Sequence, residues 1–229
     1  MNDWKSIRTR VRAITFDCYG TLIDWKAGLA SSLAAVFGDK VQGRIDELFD
    51  VYVTTEAEVE AEPFMKYKEI LRETTKRLAA RFGWTLPENR MDQLAQLLPT
   101  WRPFGDTNEA LTRMKKRFRL GVLSNIDRDL FQGTAGHFSI DFDFVVVAED
   151  VRSYKPELAH FERYLREFGD RETTLHVGQS PYHDGLAAKQ VGIPFAWINR
   201  YAEPNRQPVV PAVVFPDLKS LADSLEPAA

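Results

Sequence analysis

The residues of this 229-residue chain that could do chemistry together stand at the ends of apolar runs. Asp17 closes the run in ITFDCYGTLIDW, and Ser124 and Asn125 close RLGVLSN. Lys155 follows FVVVAED, in SYKP, and Gln179, Ser180 and Asp184 follow TLHVG, in VGQSPYHDG. Ligands of an open parallel sheet bind beyond the carboxyl ends of its strands. A carboxylate, a hydroxyl, a lysine and a second carboxylate on that edge are the makings of a polar small-molecule site. Each also has a plain structural use. Asp17 suits a turn, Ser124 and Asn125 suit a helix cap, Lys155 suits a solvated position before proline, and Asp184 suits the start of the next helix. Their convergence on one edge is what favours a site.

The elements that must deliver them are legible in the periodicity. VRAITFD at 11–17 reads as a buried strand, and the next convincing strand is RLGVLSN at 119–125. Roughly a hundred residues separate them, far more than an ordinary connection. Helical spacing fills that stretch: Leu29, Leu33, Val36 and Phe37 share one face, and Ile45, Leu48, Phe49 and Tyr52 another. Phe64, Tyr67, Leu71, Leu78 and Phe82 continue the pattern, followed by Met91, Leu94 and Leu98. This predicts a helical cap over 25–102, inserted after the first strand of an α/β core made of 1–24 and 103–229.

Beyond residue 104 strands and helices alternate. Asp106 and Glu109 predict a capping box for a helix carrying Leu111, Met114 and Phe118. A helix near 128–136, a strand over 144–150, and a helix starting at Pro156 with Phe161, Tyr164, Leu165 and Phe168 on one face follow. TLHVG, the small-residue helix DGLAAKQVG, the strands PFAWIN and AVVF, and a last helix with Leu218, Leu221 and Leu225 complete the order. Residues 203–211, EPNRQPVVP, read as a surface link. The expected fold is a doubly wound parallel sheet with right-handed crossovers.

The formal net charge of −3 supplies no basic field for nucleic acid or membrane, and a small-molecule substrate is the expected partner. The single cysteine, Cys18, excludes an internal disulfide and fits a reducing cytoplasm. No apolar run reaches the ~18 residues of a bilayer span, and MNDWKSIRTRVRA lacks the apolar centre of a signal peptide. The expected location is cytoplasmic.

Taken in order, DCYGTLID, LSN, YKP and VGQSPYHDG…VGIP resemble the four motifs of the haloacid dehalogenase superfamily across nearly the whole chain, helical cap included. PFAWINR is similar to the strand after the fourth motif in its 2-haloacid dehalogenase branch. The resemblance implies that Asp17 is a nucleophile that forms a covalent ester later cleaved by water, and that Lys155 lies beside it and favours its ionised form. It implies that Thr21 and Ser124 hold oxygens by hydrogen bonds, that Asn125 contacts substrate or leaving group, and that Gly20 makes the turn presenting Asp17. Asp184 would position Lys155 or the hydrolytic water.

Two departures from the phosphatases of that superfamily point to attack on carbon. Tyr19 stands where they carry a second acid, and a phenol with a pKa near ~10 is a poor base at neutral pH. Gln179 stands where they carry a metal-binding acid, and Mg²⁺ is normally held by carboxylates. The expected reaction is therefore metal-independent dehalogenation of a short 2-haloacid to a 2-hydroxy acid, with Tyr19, Asn125, Trp25 and Gln179 as substrate-binding residues and no cofactor. The alternatives are a magnesium-dependent small-molecule phosphatase, with a weak site at Asp17 and Asp184, and a catalytically idle binding member. The dehalogenases also carry a cap arginine for the substrate carboxylate. Asp50 stands near its place, and Arg44, Arg102, Arg128 and Lys66 are candidate substitutes. Pro181 and Phe161 replace further support residues. Cys18 reads better as buried filler than as a reactive thiol, and His183 better as a loop histidine than as a base. Trp25, Phe64 and Trp101 suit either a pocket lining or core packing. A homodimer is expected only by association with the family.

Overall fold

The computed structural model describes residues 3–226. Its centre is β1, Ala13–Phe16, four consecutive buried residues and thus a strand covered on both faces. β1 pairs in parallel with β2, Arg119–Ser124, on one side and β4, Thr174–Gly178, on the other. β3 (Phe144–Val147), β5 (Phe195–Ile198) and β6 (Val213–Phe215) extend the sheet, giving a six-stranded parallel order β3-β2-β1-β4-β5-β6. All six strands present their carboxyl ends to one edge, and the order reverses beside β1, where a doubly wound sheet opens a crevice.

Among the described residues eleven α-helices accompany this sheet. α1 (Trp4–Arg10) precedes β1. The long excursion between β1 and β2 contains α2 (Trp25–Phe37), α3 (Ile45–Glu60), α4 (Tyr67–Arg81) and α5 (Gln93–Leu97) before α6 (Thr107–Lys115) returns to the sheet. α7 (Arg128–Ala135), α8 (Ala148–Val151), α9 (Ala159–Glu167), α10 (Leu186–Val191) and α11 (Leu218–Leu225) complete the core. The chain leaves for the cap helices and comes back through two adjacent segments. Asp24 N donates to the Arg102 carbonyl at 2.9 Å, Phe104 N donates to that of Leu22 at 3.1 Å, and Ile23 bridges Pro103. Gly28 lies flat against Trp101, whose indole nitrogen donates to Ser32 Oγ at 2.9 Å; any side chain at residue 28 would overlap that ring. No helix among the described residues is long and apolar enough to cross a membrane.

Four local expectations are corrected. The strand predicted over 144–150 ends at Val147. Asp150 accepts from the Val147 amide at 3.2 Å and from Arg128 Nε at 2.9 Å, which closes Ala148–Val151 into a helical turn. The helix predicted from Pro156 begins at Ala159. The Lys155–Pro156 peptide is cis, and the Lys155 backbone is held by Asn125 instead of entering a helix. Asp106 does not form the predicted capping box with Glu109. Its carboxylate takes Arg200 Nη1 at 3.0 Å and the Leu218 amide at 2.7 Å, so it fastens α6 to the start of α11. Phe64 also lies outside α4 and packs its ring 5.5 Å from that of Tyr154.

A contact not anticipated from the sequence ties cap to core. Asp127, fully buried just after β2, accepts from the backbone amides of Tyr67 and Lys68 at 2.9 Å each. It satisfies two of the unpaired donors that open α4, from outside that helix. Asp127→Ala is expected to cost about 2 kcal/mol, the upper range for losing such an acceptor. Asp127→Asn, which keeps one acceptor oxygen, should cost less. Urea unfolding of the two variants checks both the size and the order.

Candidate active site

Asp17 follows β1 directly. Its amide donates to the Val177 carbonyl at 2.9 Å, which prolongs the sheet by one residue and aims the side chain off the strand end. Gly20, at φ +96°, supplies the turn that brings Thr21 back to it. Thr21 Oγ1 donates to Asp17 Oδ2 at 2.8 Å and accepts from the Gln179 amide at 2.9 Å, so one hydroxyl joins the ends of β1 and β4.

Lys155 is the hub of the site. Its Nζ donates to Asp17 Oδ1 at 2.9 Å, to Asp184 Oδ1 at 2.6 Å and to the Leu123 carbonyl at 2.8 Å, which uses all three ammonium protons. The lysine side chain is 1% exposed and that of Asp17 14%, so the carboxylate is the one that meets the cavity. Asn125 fixes the lysine backbone from both ends of its amide: Nδ2 donates to the Lys155 carbonyl at 3.0 Å, and Oδ1 accepts from the Lys155 amide at 2.7 Å. Its amide is thereby committed to positioning the lysine. Gly178 gives Asp184 its room, because a Cβ there would overlap the carboxylate.

The charges respond to this packing. Burial pushes the Asp17 carboxyl above its ordinary value, opposed by the Lys155 ammonium. For Asp184 burial acts in the same direction, but Lys155 and His176 outweigh it and hold the group below the usual range. Burial works against the lysine cation, yet its two carboxylates keep it above its ordinary value. His176 Nε2 lies 3.3 Å from Asp184 Oδ1, and Thr15 Oγ1 lies 2.8 Å from the other ring nitrogen.

Tyr19 turns from Asp17. Its hydroxyl lies 2.8 Å from Thr134 Oγ1, and burial raises its pKa well above the phenol value. Burial likewise raises the thiol of Cys18, which is wholly inside the core. Ser124 is buried at the cavity wall, with no hydrogen-bond partner recorded for its hydroxyl among the described residues. Gln179 donates through Nε2 to Glu203 at 3.2 Å, and its carbonyl accepts from Trp197 at 2.8 Å. Trp25 lies edge-on to Phe49 at 5.0 Å and borders both the inner cavity and a larger outer one. His183 packs beside Ser180 and is pushed by burial to about 4, leaving it neutral at pH 7.

The inner cavity holds about 210 Å³ and is bounded by Asp17, Tyr19, Ser124, Asn125, Lys155, Gln179, Ser180, His183 and Asp184 from the core side and by Trp25 at the start of the cap. Every side chain singled out from the sequence as catalytic or substrate-binding is at its wall, except that Thr21 stands behind Asp17. The cap side differs from expectation. Arg44 pairs with Glu47, Arg102 contacts His137, Arg128 binds Asp150 and Lys66 binds Glu149; none of the four borders the cavity. Asp50 lies on the outer cavity, about 720 Å³ in volume, with Pro181 on the opposite wall. Phe161 is buried against His176, away from the opening.

What the cap presents instead is Glu56, Glu60 and Tyr67. Glu56 Oε1 accepts from Tyr52 at 2.8 Å and Tyr67 at 2.7 Å. These residues escaped the sequence reading because TTEAEVEAE carries acids at 56, 58, 60 and 62 and reads as a solvated face. The available signal was spacing: Tyr52, Glu56 and Glu60 follow at intervals of four on the face of buried Leu48, whereas Glu58 and Glu62 are exposed.

Behind the site, His160 Nε2 donates to the Ser124 carbonyl at 3.1 Å while its Nδ1 has no partner. Burial lowers its pKa to about 3. The unfolded chain, titrating near ~6.5, binds that proton first, so stability is full above that pH and is lost as pH falls toward the folded value. The expected loss from this one group is about 2 kcal/mol between pH 7 and pH 5. Buried His176, also lowered, adds in the same direction. His160→Gln should flatten the acid limb of a urea-midpoint profile against pH; an unchanged slope would remove the assignment.

The sequence model of the haloacid dehalogenase-like hydrolases matches residues 11–192. The chain is 23% identical over 199 residues to an (S)-2-haloacid dehalogenase of Pseudomonas fluorescens, covering 83% of this chain and 85% of that one. It is 35% identical over 105 residues to a glyceraldehyde 3-phosphate phosphatase of Methanothermobacter thermautotrophicus, 43% of this chain and 45% of that one. Among solved structures, the L-2-haloacid dehalogenase from Xanthobacter autotrophicus superposes with a TM-score of 0.80 at 19% identity, over 93% of this chain and 97% of that one. That last likeness is one of fold.

Proposed function

The chain belongs to the haloacid dehalogenase-like hydrolases, and from that premise we propose that Asp17 is the nucleophile of a metal-independent hydrolysis at carbon, with a carbon–halide bond as the bond broken. A carboxylate oxygen of Asp17 attacks the carbon, and the halide departs with the bonding electron pair, leaving an alkyl ester on residue 17. Water then attacks the ester carbonyl; one of its protons goes to the departing alkoxide and the other to solvent, so the alcohol leaves with the former Asp17 oxygen and the carboxylate is restored. The observation that carries this reading is the pairing of an oriented, partly exposed carboxylate with a position 19 that cannot shuttle protons. Asp17 is held by Thr21 and Lys155, whereas the Tyr19 phenol is tied to Thr134 and is a weaker acid than usual. A leaving group that departs as a stable anion needs no proton donor there.

Magnesium fits the donor set poorly. The Lys155 ammonium already bridges Asp17 Oδ1 and Asp184 Oδ1, Gln179 offers no carboxylate, and no group of three or more His, Cys, Asp or Glu side chains suited to a metal occurs among the described residues. A phosphate dianion would also meet Asp17, Asp184, Glu56 and Glu60 with one lysine as counter-charge. These features support the dehalogenating reading over the phosphatase matched along the shorter stretch.

The test is intact-mass and peptide analysis after brief exposure to short haloalkyl compounds, with 2-chloropropionate, chosen from the relatives' names, and neutral 2-chloroacetamide side by side. An alkyl adduct on Asp17 that disappears with time supports the proposal, as does halide release unaffected by EDTA. Halide release with no adduct in Asp17→Asn or wild type, or activity abolished by EDTA, would sink it.

A further inference from the structure

We propose that the site is built for a cationic substrate: a small carbon electrophile bearing an ammonium group, which Glu56 and Glu60 of α3 hold while the reactive carbon faces Asp17. The inference rests on Asp17 as nucleophile and adds the charge of what it attacks.

The two glutamates are one helical turn apart and border the same cavity as Asp17. Glu56 is fixed by two phenol donors that converge on Oε1, and Oε2 has no hydrogen-bond partner among the described residues. No hydrogen bond or ion pair involves the Glu60 side chain among the described residues. A solvated helix face needs no such buried phenol pair; a carboxylate held in register for a ligand does.

The charge balance of the cavity points the same way. Its one cation, Lys155, has its protons directed at Asp17, Asp184 and a backbone carbonyl. Nothing is left over for the cap pair. The four basic residues expected to meet a substrate carboxylate all face other partners. An anionic substrate would therefore meet two acids with no cation beside them, whereas an ammonium would supply the missing charge and favour the ionised form of Glu60. Burial, with Glu56 adding to it and Lys155 opposing it, pushes Glu60 up to about 8, the mark of an acid that lacks a counter-ion. Tyr52, Tyr67 and Tyr154 are the other titratable groups close enough to feel it, and His183 at the same wall is neutral. Trp25 and Tyr67 add aromatic faces, which attract organic cations. At about 210 Å³ the cavity is smaller than a drug-sized pocket and suits a short chain.

The experiment compares three probes of matched length, n-butylammonium, butyramide and butyrate, by calorimetric titration into the Asp17→Asn variant in an amine-free buffer at pH 8.5. The expected result is butylammonium binding at least tenfold tighter than butyrate, with butyramide between them. That order should collapse in Glu60→Gln and in the Glu56→Gln/Glu60→Gln double variant, each checked for native unfolding behaviour. Equal or tighter binding of butyrate overturns the inference, as does a cation preference that survives in the double variant, or no detectable binding of butylammonium. Failure of the nucleophile reading shows separately. It would leave cation binding intact while wild type forms no Asp17 ester with neutral 2-chloroacetamide.

Discussion

Asp17→Asn is expected to lower halide release by on the order of a thousand-fold or more while leaving the fold nearly unchanged. The two consequences come from different atoms. The amide is close in size, and its oxygen can still accept from Thr21 or from Lys155, whose other carboxylate partner, Asp184, remains at 2.6 Å. The buried lysine therefore keeps a counter-charge, and unfolding free energy should move by less than about 1 kcal/mol. Nucleophilicity has no such reserve. An amide oxygen carries no full charge, and no other carboxylate at the core-side wall can replace it, because Asp184 is buried behind the lysine at 1% side-chain exposure. Steady-state halide release, together with peptide mass analysis at residue 17, checks both halves. Retention of more than a few per cent of wild-type activity would reject Asp17 as the attacking group.

Lys155→Met carries the second large effect, on stability as much as on rate. Removing the ammonium leaves Asp17 and Asp184 without a cation between them, at side-chain exposures of only 14% and 1%. Breaking a buried ion pair by deleting one partner costs about 3–5 kcal/mol. The variant escapes part of that cost by taking up a proton, which inverts the pH dependence that these two acids contribute. In the wild type Asp184 is held below its ordinary value, so its contribution is present above the unfolded pKa and is lost as pH falls through the folded one. In the variant the acids lie above their unfolded values, so its stability deficit relative to wild type should shrink as pH is lowered from 8 toward about 5, even as the buried histidines destabilise both proteins. A protonated Asp17 cannot attack, so activity near neutrality should drop by about a hundred-fold or more and recover partly at higher pH. Urea midpoints at pH 5 and pH 8, with halide-release rates over the same range, read both effects. A variant whose midpoint falls in parallel with wild type would show that the lysine does not set the ionisation of these two acids.

Much of the core side was legible from the chain because a parallel sheet makes strand ends readable. ITFD, RLGVLSN and TLHVG are short apolar runs followed by polar residues, and the direction of the chain fixes which end meets the crevice. Lys155 was harder, because its strand stops at Val147 and a helical turn intervenes, yet its proline neighbour marked the place. What could not be read is how side chains divide their hydrogen bonds. Asn125 looks free for a ligand in sequence and is occupied by the Lys155 backbone in space; Asp106 looks like a local cap and serves a helix more than a hundred residues away. The cap side was least legible. Periodicity shows which helix positions share a face but not what lies opposite, so Glu56 and Glu60 were indistinguishable from their exposed neighbours Glu58 and Glu62. The same blindness made Arg44, Arg102, Arg128 and Lys66 plausible substrate ligands, although each meets an acid or a histidine elsewhere.

The four residues from Ser124 to Asp127 bear on how this enzyme can be rebuilt. Asn125 grips the backbone of the lysine, and Asp127, two positions on, grips the first amides of α4, the helix whose opening residue, Tyr67, secures Glu56. One tetrapeptide thus writes both the ionisation of the nucleophile and the posture of the recognition surface above it. A foreign cap whose helix start did not offer its first amides to Asp127 would leave that buried carboxylate unpaired, two residues from the asparagine that holds the lysine. The practical unit of exchange is therefore the cap together with this loop, and a chimera that swaps both should retain its catalytic apparatus where one that swaps the cap alone does not.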